Sequence, residues 1–173
     1  MKKIFFLLTL FACSCVQIYA QKVEDKDIIK VDLDKGLIND VEPTAKPKKI
    51  KKAFPNFSSE TAENLDYNCG GGIFYLNDDM HFFTARDYVE IRGEFKGKIS
   101  HDVLNQKFDI VANQLGKPDH QVKPQGDDEG IMVVYYKKEY GCLRLNYNIS
   151  TGNVFEIAIH YKPIGEACMD LCF

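Results

Sequence analysis

Past residue 12 the chain has no apolar run of the ~20 residues that a bilayer-spanning helix needs, so the remainder reads as soluble unless a lipid holds it. It also lacks a basic excess: 22 Lys and Arg stand against 25 Asp and Glu, a formal net charge of -3. That balance excludes nucleic acid as an expected partner, because phosphate binding rests on many Lys and Arg contacts. Zinc-site spacing and a calcium loop are missing too. Asp32-x-Asp34-x-Gly36 opens like an EF-hand loop, but its glycine comes one place early and Pro43 stands at the twelfth position, where glutamate belongs. Asp78, Asp79 and His81 read as strand-turn residues, and Asp127, Asp128 and Glu129 as a solvated loop. No metal or cofactor is expected.

What is there begins with a leader. Lys2 and Lys3 precede an apolar stretch over residues 4–12, then small and polar residues to Ala20, the layout of a secretory signal peptide over residues 1–20 cleaved before Gln21. Removing it takes away two lysines and no acid, so the mature charge is -5, from 20 basic and 25 acidic residues. About 150 residues remain, enough for one domain. Within the leader, Leu10-Phe11-Ala12-Cys13 approximates the lipoprotein signal, in which the cysteine is acylated. Cys13 therefore decides between a periplasmic or extracellular protein and an outer-membrane lipoprotein, the one route to a membrane.

Cys69, Cys142, Cys168 and Cys172 survive processing. An even number of cysteines in an exported chain reads as two disulfides. Three pairings are open, and at least one long-range bridge is expected, because joining distant segments restricts the unfolded chain most.

Residues 21–66 are charged, poorly periodic and interrupted by Pro43, Pro47 and Pro55, with lysines at 46, 48, 49, 51 and 52, and they read as a flexible tether. A globular domain is expected over residues 67–164, followed by a cysteine-bearing tail over residues 165–173. Short aromatic and β-branched runs at residues 73–76, 81–85 and 88–95 predict strands. The main helix is predicted over residues 100–115: Ser100 as N-cap, Leu104, Phe108, Val111 and Leu115 on one face, and Gly116-Lys117-Pro118 as its stop. Residues 131–138, 142–149 and 154–161, the last two alternating in side-chain character along the run, are joined by glycine-containing turns and predict three strands paired in order, one face buried and the other partly wet. The fold class is α+β, one amphipathic helix on an antiparallel meander, stapled by disulfides.

Leu115-Gly116-Lys117-Pro118-Asp119, followed by strands that carry Val134-Tyr135-Tyr136, resembles the small envelope domains of the BamE and β-lactamase-inhibitor-protein type. The resemblance implies a non-enzymatic domain that binds another protein in the bacterial envelope, in the manner of an inhibitor or immunity protein. Tyrosines anchor many interfaces. Tyr135, Tyr136, Tyr140, Arg144 and His160 are the candidate interface residues. Two rival readings remain: a lipid-anchored component of envelope assembly, or a cysteine-dependent hydrolase in which Cys69, beside three glycines, is activated by His81, His101, His120 or His160.

Overall fold

The computed structural model describes residues 28–54, 57–62, 72–75, 79–124 and 129–168 of the chain. Residues 1–20, expected as a leader that includes Cys13, together with Cys69 and Cys172, lie outside them. No helix among the described residues is long and apolar enough to cross a membrane.

The fold is mixed α+β and mostly antiparallel. Its centre is an eight-stranded sheet made of two meanders. The first runs through β3 (Phe57–Thr61), β4 (Gly72–Tyr75), β5 (Met80–Phe83) and β6 (Tyr88–Arg92). The second runs through β8 (His120–Val122), β9 (Ile131–Lys138), β10 (Gly141–Asn148) and β11 (Val154–His160). Strand β11 closes antiparallel on β6, so the order across the sheet is β3-β4-β5-β6-β11-β10-β9-β8. The three long strands fall where the sequence predicts them. Their turn at residues 149–152 is built by Asn148, whose Oδ1 accepts from the Ser150 and Thr151 amides at 2.9 and 3.0 Å, with Gly152 at φ 71°.

Because side chains alternate along each strand, the sheet has two distinct faces. On one, Phe82, Val89, Ile159, Leu143 and Tyr136 form a row across neighbouring strands, with Met80, Ile91, Ile157, Leu145 and Val134 in the next. All are buried in the main core. Fully burying one Val, Leu or Ile side chain is worth about 1.5–3 kcal/mol, so these rows dominate the packing energy.

That core is completed by the stretch expected as a tether. Residues 30–32 form β1 (Lys30–Asp32), which pairs antiparallel with β2 (Leu37–Ile38) and parallel with β7 (Lys98–Ile99). The lysine-rich run forms helix α1 (Pro47–Ala53), with its lysines outward and Ile50 buried, one turn before buried Phe54. Val31, Leu33, Ile38 and Val41 are also in the core. High charge concealed apolar residues spaced to reach inward while lysine stems lie along the surface.

The main helix is shorter than predicted: α2 spans Phe108–Leu115, with Lys107 as N-cap and Gly116 closing it at φ 88°. Ser100 does not cap it. Its Oγ accepts from the Leu33 amide at 3.0 Å, tying β7 to the β1 segment. Residues 105–108 spend their hydrogen bonds on the β10–β11 turn: Asn105 N donates to Val154 O and Phe108 N to Gly152 O, each at 2.8 Å. Asn105 sits at φ 65°, which no helix tolerates. The periodicity of residues 104–115 reflects packing, since Val103 and Val111 are buried, rather than one continuous helix. Across the predicted boundary between domain and tail at residue 164, the chain forms a short helix α3 (Ile164–Ala167), which packs on β9 and β10.

Candidate functional site

The second face of the sheet carries the chemistry. Three rows cross it. Phe83, Tyr88, His160, Cys142 and Lys137 make the first, on successive strands β5, β6, β11, β10 and β9. His81, Glu90, Ala158, Arg144 and Tyr135 make the second, and Arg92, Glu156, Asn146 and Val133 the third.

Arg144 is the hub. Its Nη2 donates to Glu90 Oε1 and to Glu156 Oε1, both at 2.9 Å, and Asn146 Nδ2 donates to the same Glu156 oxygen at 2.7 Å. Arg92 closes the outer side, 3.3 Å from Glu90 Oε2 and 3.5 Å from Glu156 Oε2. Arg144 is 3% exposed, and Glu90 and Glu156 are each 8% exposed, so these charges are held by one another rather than by water. Burial works against the Arg144 charge, but the carboxylates of Glu156 and Glu90 outweigh it and raise its pKa. Burial, with Glu90 as a like charge, raises the Glu156 carboxyl against the pull of Arg144.

Beside this network runs an aromatic stack. Tyr88 lies between Phe83 and His160, with ring centroids 4.5 Å away on each side, and Arg86 sits 4.5 Å above the Phe83 ring. His160 is 0% exposed, and neither ring nitrogen has a hydrogen-bond partner among the described residues. Burial first, then the positive charges of Arg144 and Lys162, hold its pKa well below the ordinary imidazole value of 6.5. Its remaining neighbours are the stacked Tyr88 and the cross-strand Cys142. Neutral His160 binds fewer protons than the unfolded chain does below pH 6.5, so the stability it contributes is present above that pH and is lost as pH falls. Glu156 acts in the opposite sense, but equally in the wild type and in a His160→Phe variant that keeps the stack. One pH unit below 6.5 the wild type should therefore have lost about 1.4 kcal/mol relative to His160→Phe, read by urea denaturation at several pH values. Parallel pH curves for the two proteins would refute this.

The face expected to be partly wet is buried across its centre, with Arg92 and Lys137 exposed at its margins, and four of the five candidate interface residues belong to the interior. Tyr135, Tyr136, Arg144 and His160 are all 4% exposed or less. A side chain enclosed in its own fold cannot anchor a partner, and the Tyr136 hydroxyl is pushed up to about 12 by burial. Their alternation marked a second buried face.

Tyr140 alone is half-buried, and it lines a cleft of about 340 Å³ where the β9–β10 turn meets the chain after β11. Lys137, Lys138, Tyr161, Lys162 and Ile164 share that lining. The Tyr140 and Tyr161 rings stack at 5.5 Å, and Tyr140 Oη donates to Leu33 O at 3.0 Å. The N-terminal segment braces this wall. Asp34 accepts from Lys138 Nζ at 3.0 Å and meets His101 Nε2 at 2.8 Å, contacts that, His101 foremost, lower its pKa.

The cysteines divide. Cys142 and Cys168 carry free thiols and share a small buried cluster with Val133, Tyr135 and Ala167, so no disulfide staples the described residues. Burial pushes the Cys142 thiol up to about 12. A cysteine that turns over as a catalytic nucleophile at neutral pH needs the reverse shift, whereas a bond formed once can proceed through a rare thiolate. Of the histidines proposed as bases for Cys69, His160 and His81 are interior, while His120 is exposed on β8 and His101 is engaged by Asp34. Among the described residues no three His, Cys, Asp or Glu side chains are grouped to hold a metal.

Sequence reasoning missed the Arg144, Glu90 and Glu156 cluster. A signal existed: Arg144 and Glu156 alternate in phase on two strands of one predicted hairpin, opposite charges on the same face. No family model matches this chain, and neither the curated proteins nor the solved structures contain a match to it.

Proposed function

We propose that this chain is an exported, non-enzymatic module that binds another protein in the bacterial envelope, and that it grips an acidic segment of that partner in the cleft at Tyr140. The cleft is the observation that carries the reading. It sets two stacked tyrosines beside exposed Lys137 and beside Lys162, with Lys138 held by Asp34 and Glu139 the acid among the lining residues. Flat amphipathic rings give contact area at low entropic cost, and surrounding ammonium groups favour carboxylates. The leader over residues 1–20 supports the envelope as the setting. The buried, protonated Cys142 and unpartnered His160 support binding over catalysis.

The test uses a fluorescent peptide rich in Asp and Glu, titrated with mature protein at low and high salt. Lys137→Glu changes an exposed side chain and leaves its backbone bond to Asp119 in place. It should weaken binding at least about tenfold at low salt, with the wild type approaching the variant at high salt as the charges are screened. Equal affinity of the two proteins, or no binding, overturns the acidic-segment reading. A pulldown from envelope and culture fractions that returns no specific partner overturns the wider one. Unmodified Gln21 at the mature N-terminus, read by mass spectrometry, would eliminate the lipid-anchored alternative through Cys13.

A further inference from the structure

We infer that Cys142 and Cys168 are a disulfide pair that clamps α3 onto the sheet once the chain reaches an oxidising compartment. The inference does not depend on the cleft's occupant. After β11 the chain turns at Pro163 and comes back as α3 over β9 and β10. This return carries Cys168, at the end of α3, onto the cluster that contains Cys142 on β10. The Cys168 thiol acts electrostatically on both Cys142 and Tyr135, as near neighbours do. Two thiols from segments joined by a complete strand and a turn are thus packed into the same cluster. Helix α3 is only four residues long and has no side-chain cap, so packing through Ala167 and its cluster is its principal hold on the sheet.

Exposure sets the order of the chemistry. Cys142 is 0% exposed and cannot meet an oxidant, whereas Cys168 is half-buried and can. A disulfide-bearing protein oxidant supplies the electron sink. The Cys168 thiol loses its proton and its sulfur attacks one oxidant sulfur, forming a mixed disulfide and releasing the oxidant's other sulfur as a thiolate. Cys142 then loses its proton and attacks the Cys168 sulfur, forming the Cys142–Cys168 bond and expelling the second oxidant thiolate. Two electrons pass to the oxidant and two protons leave the cysteines. Pro163 and Ile164 line one side of the cleft at Tyr140, so the bond also fixes that wall.

The experiment takes the full chain, exported and recovered from the periplasm or medium, blocks free thiols by alkylation in denaturant, and maps disulfide-linked peptides by mass spectrometry. The expected result is a peptide pair joining Cys142 to Cys168 that separates on reduction. Quantitative alkylation of Cys142, or its recovery joined to Cys69 or Cys172, overturns the inference. Hydrogen exchange supplies a second reading. Amides of residues 164–168 should exchange about tenfold more slowly in the oxidised protein than in Cys168→Ser, which alters only the half-buried partner. Equal rates would overturn the clamp even if the bond forms.

Discussion

Replacing Arg144 by methionine should destabilise the fold by about 3–5 kcal/mol, the usual cost of leaving buried charge without its partner. Methionine matches much of the stem but gives Glu90 and Glu156 nothing in exchange for the two 2.9 Å bonds they lose. The two carboxylates then face each other with the half-exposed Arg92 as counter-charge and the Asn146 amide as a neutral donor to Glu156. Acid should relieve the defect. With Arg144 gone, the carboxyl of Glu156, already raised by burial and by Glu90, has a still stronger reason to hold a proton in the folded state. A group whose folded pKa is raised contributes its stability when protonated and loses it as pH rises through that pKa. The gap between variant and wild type should therefore narrow on going from neutral to mildly acidic pH. Adding Glu90→Gln and Glu156→Gln to Arg144→Met should recover part of the loss at neutral pH, because amides leave no buried charge. Urea denaturation of the three proteins measures all of this, and a loss below about 1 kcal/mol for Arg144→Met would show that the network is solvated.

Gly141→Ala should cost about 3 kcal/mol or more, the range reached when a strained backbone and a steric clash coincide. Gly141 opens β10 at φ 144°, and a Cβ there would be driven into the carbonyl oxygens of His160 and Lys162. These atoms are backbone, so no side chain can swing aside. The change would push the end of β11 off β10 just where the chain turns toward Pro163 and α3, so the loss should be accompanied by faster exchange in residues 160–168. Gly116→Ala is the control: its φ of 88° is also left-handed, but no atom lies within 4 Å of the added carbon. It should cost about 1–2 kcal/mol, the strain of a backbone region that glycine alone enters freely and without the clash. If Gly141→Ala melts like Gly116→Ala, the tight approach at His160 is not a constraint.

The parts of the fold that were legible in the sequence are those where one physical rule acts alone. The alternation of Leu143, Leu145 and Tyr147 and of Ile157 and Ile159 placed β10 and β11, and glycine marked the stop of α2. Rules in competition were misread. In residues 100–107 a helical spacing of apolar residues yielded to hydrogen bonds offered by the β10–β11 turn, and Ser100 served the Leu33 amide rather than a helix. In residues 28–54 lysines and prolines masked Val31, Leu33, Ile38, Ile50 and Phe54, which are sparse but spaced to reach the core. The candidate site followed the same pattern. Tyrosines on strands looked outward because alternation identifies two faces without saying whether the second is covered. The cleft at Tyr140 depends on the turn at Gly36, which lies against the Tyr140 ring from a distant part of the chain. No local pattern encodes that contact.

The two meanders of the sheet are each assembled from neighbours in the chain, but their seam joins the last strand of one to the last strand of the other, Tyr88 with His160 and Arg92 with Glu156, far apart in sequence. Loop closure of that kind is what slows β-rich chains. Each meander can zip locally, yet neither covers its apolar row until the seam forms. Arg144, Glu90 and Glu156 straddle that seam from β10, β6 and β11. A slip of two residues would keep every apolar side chain on its proper face and still bury three charges without partners. The cluster is thus a proofreading device for docking the halves, rejecting misregistered sheets that hydrophobic burial alone would accept.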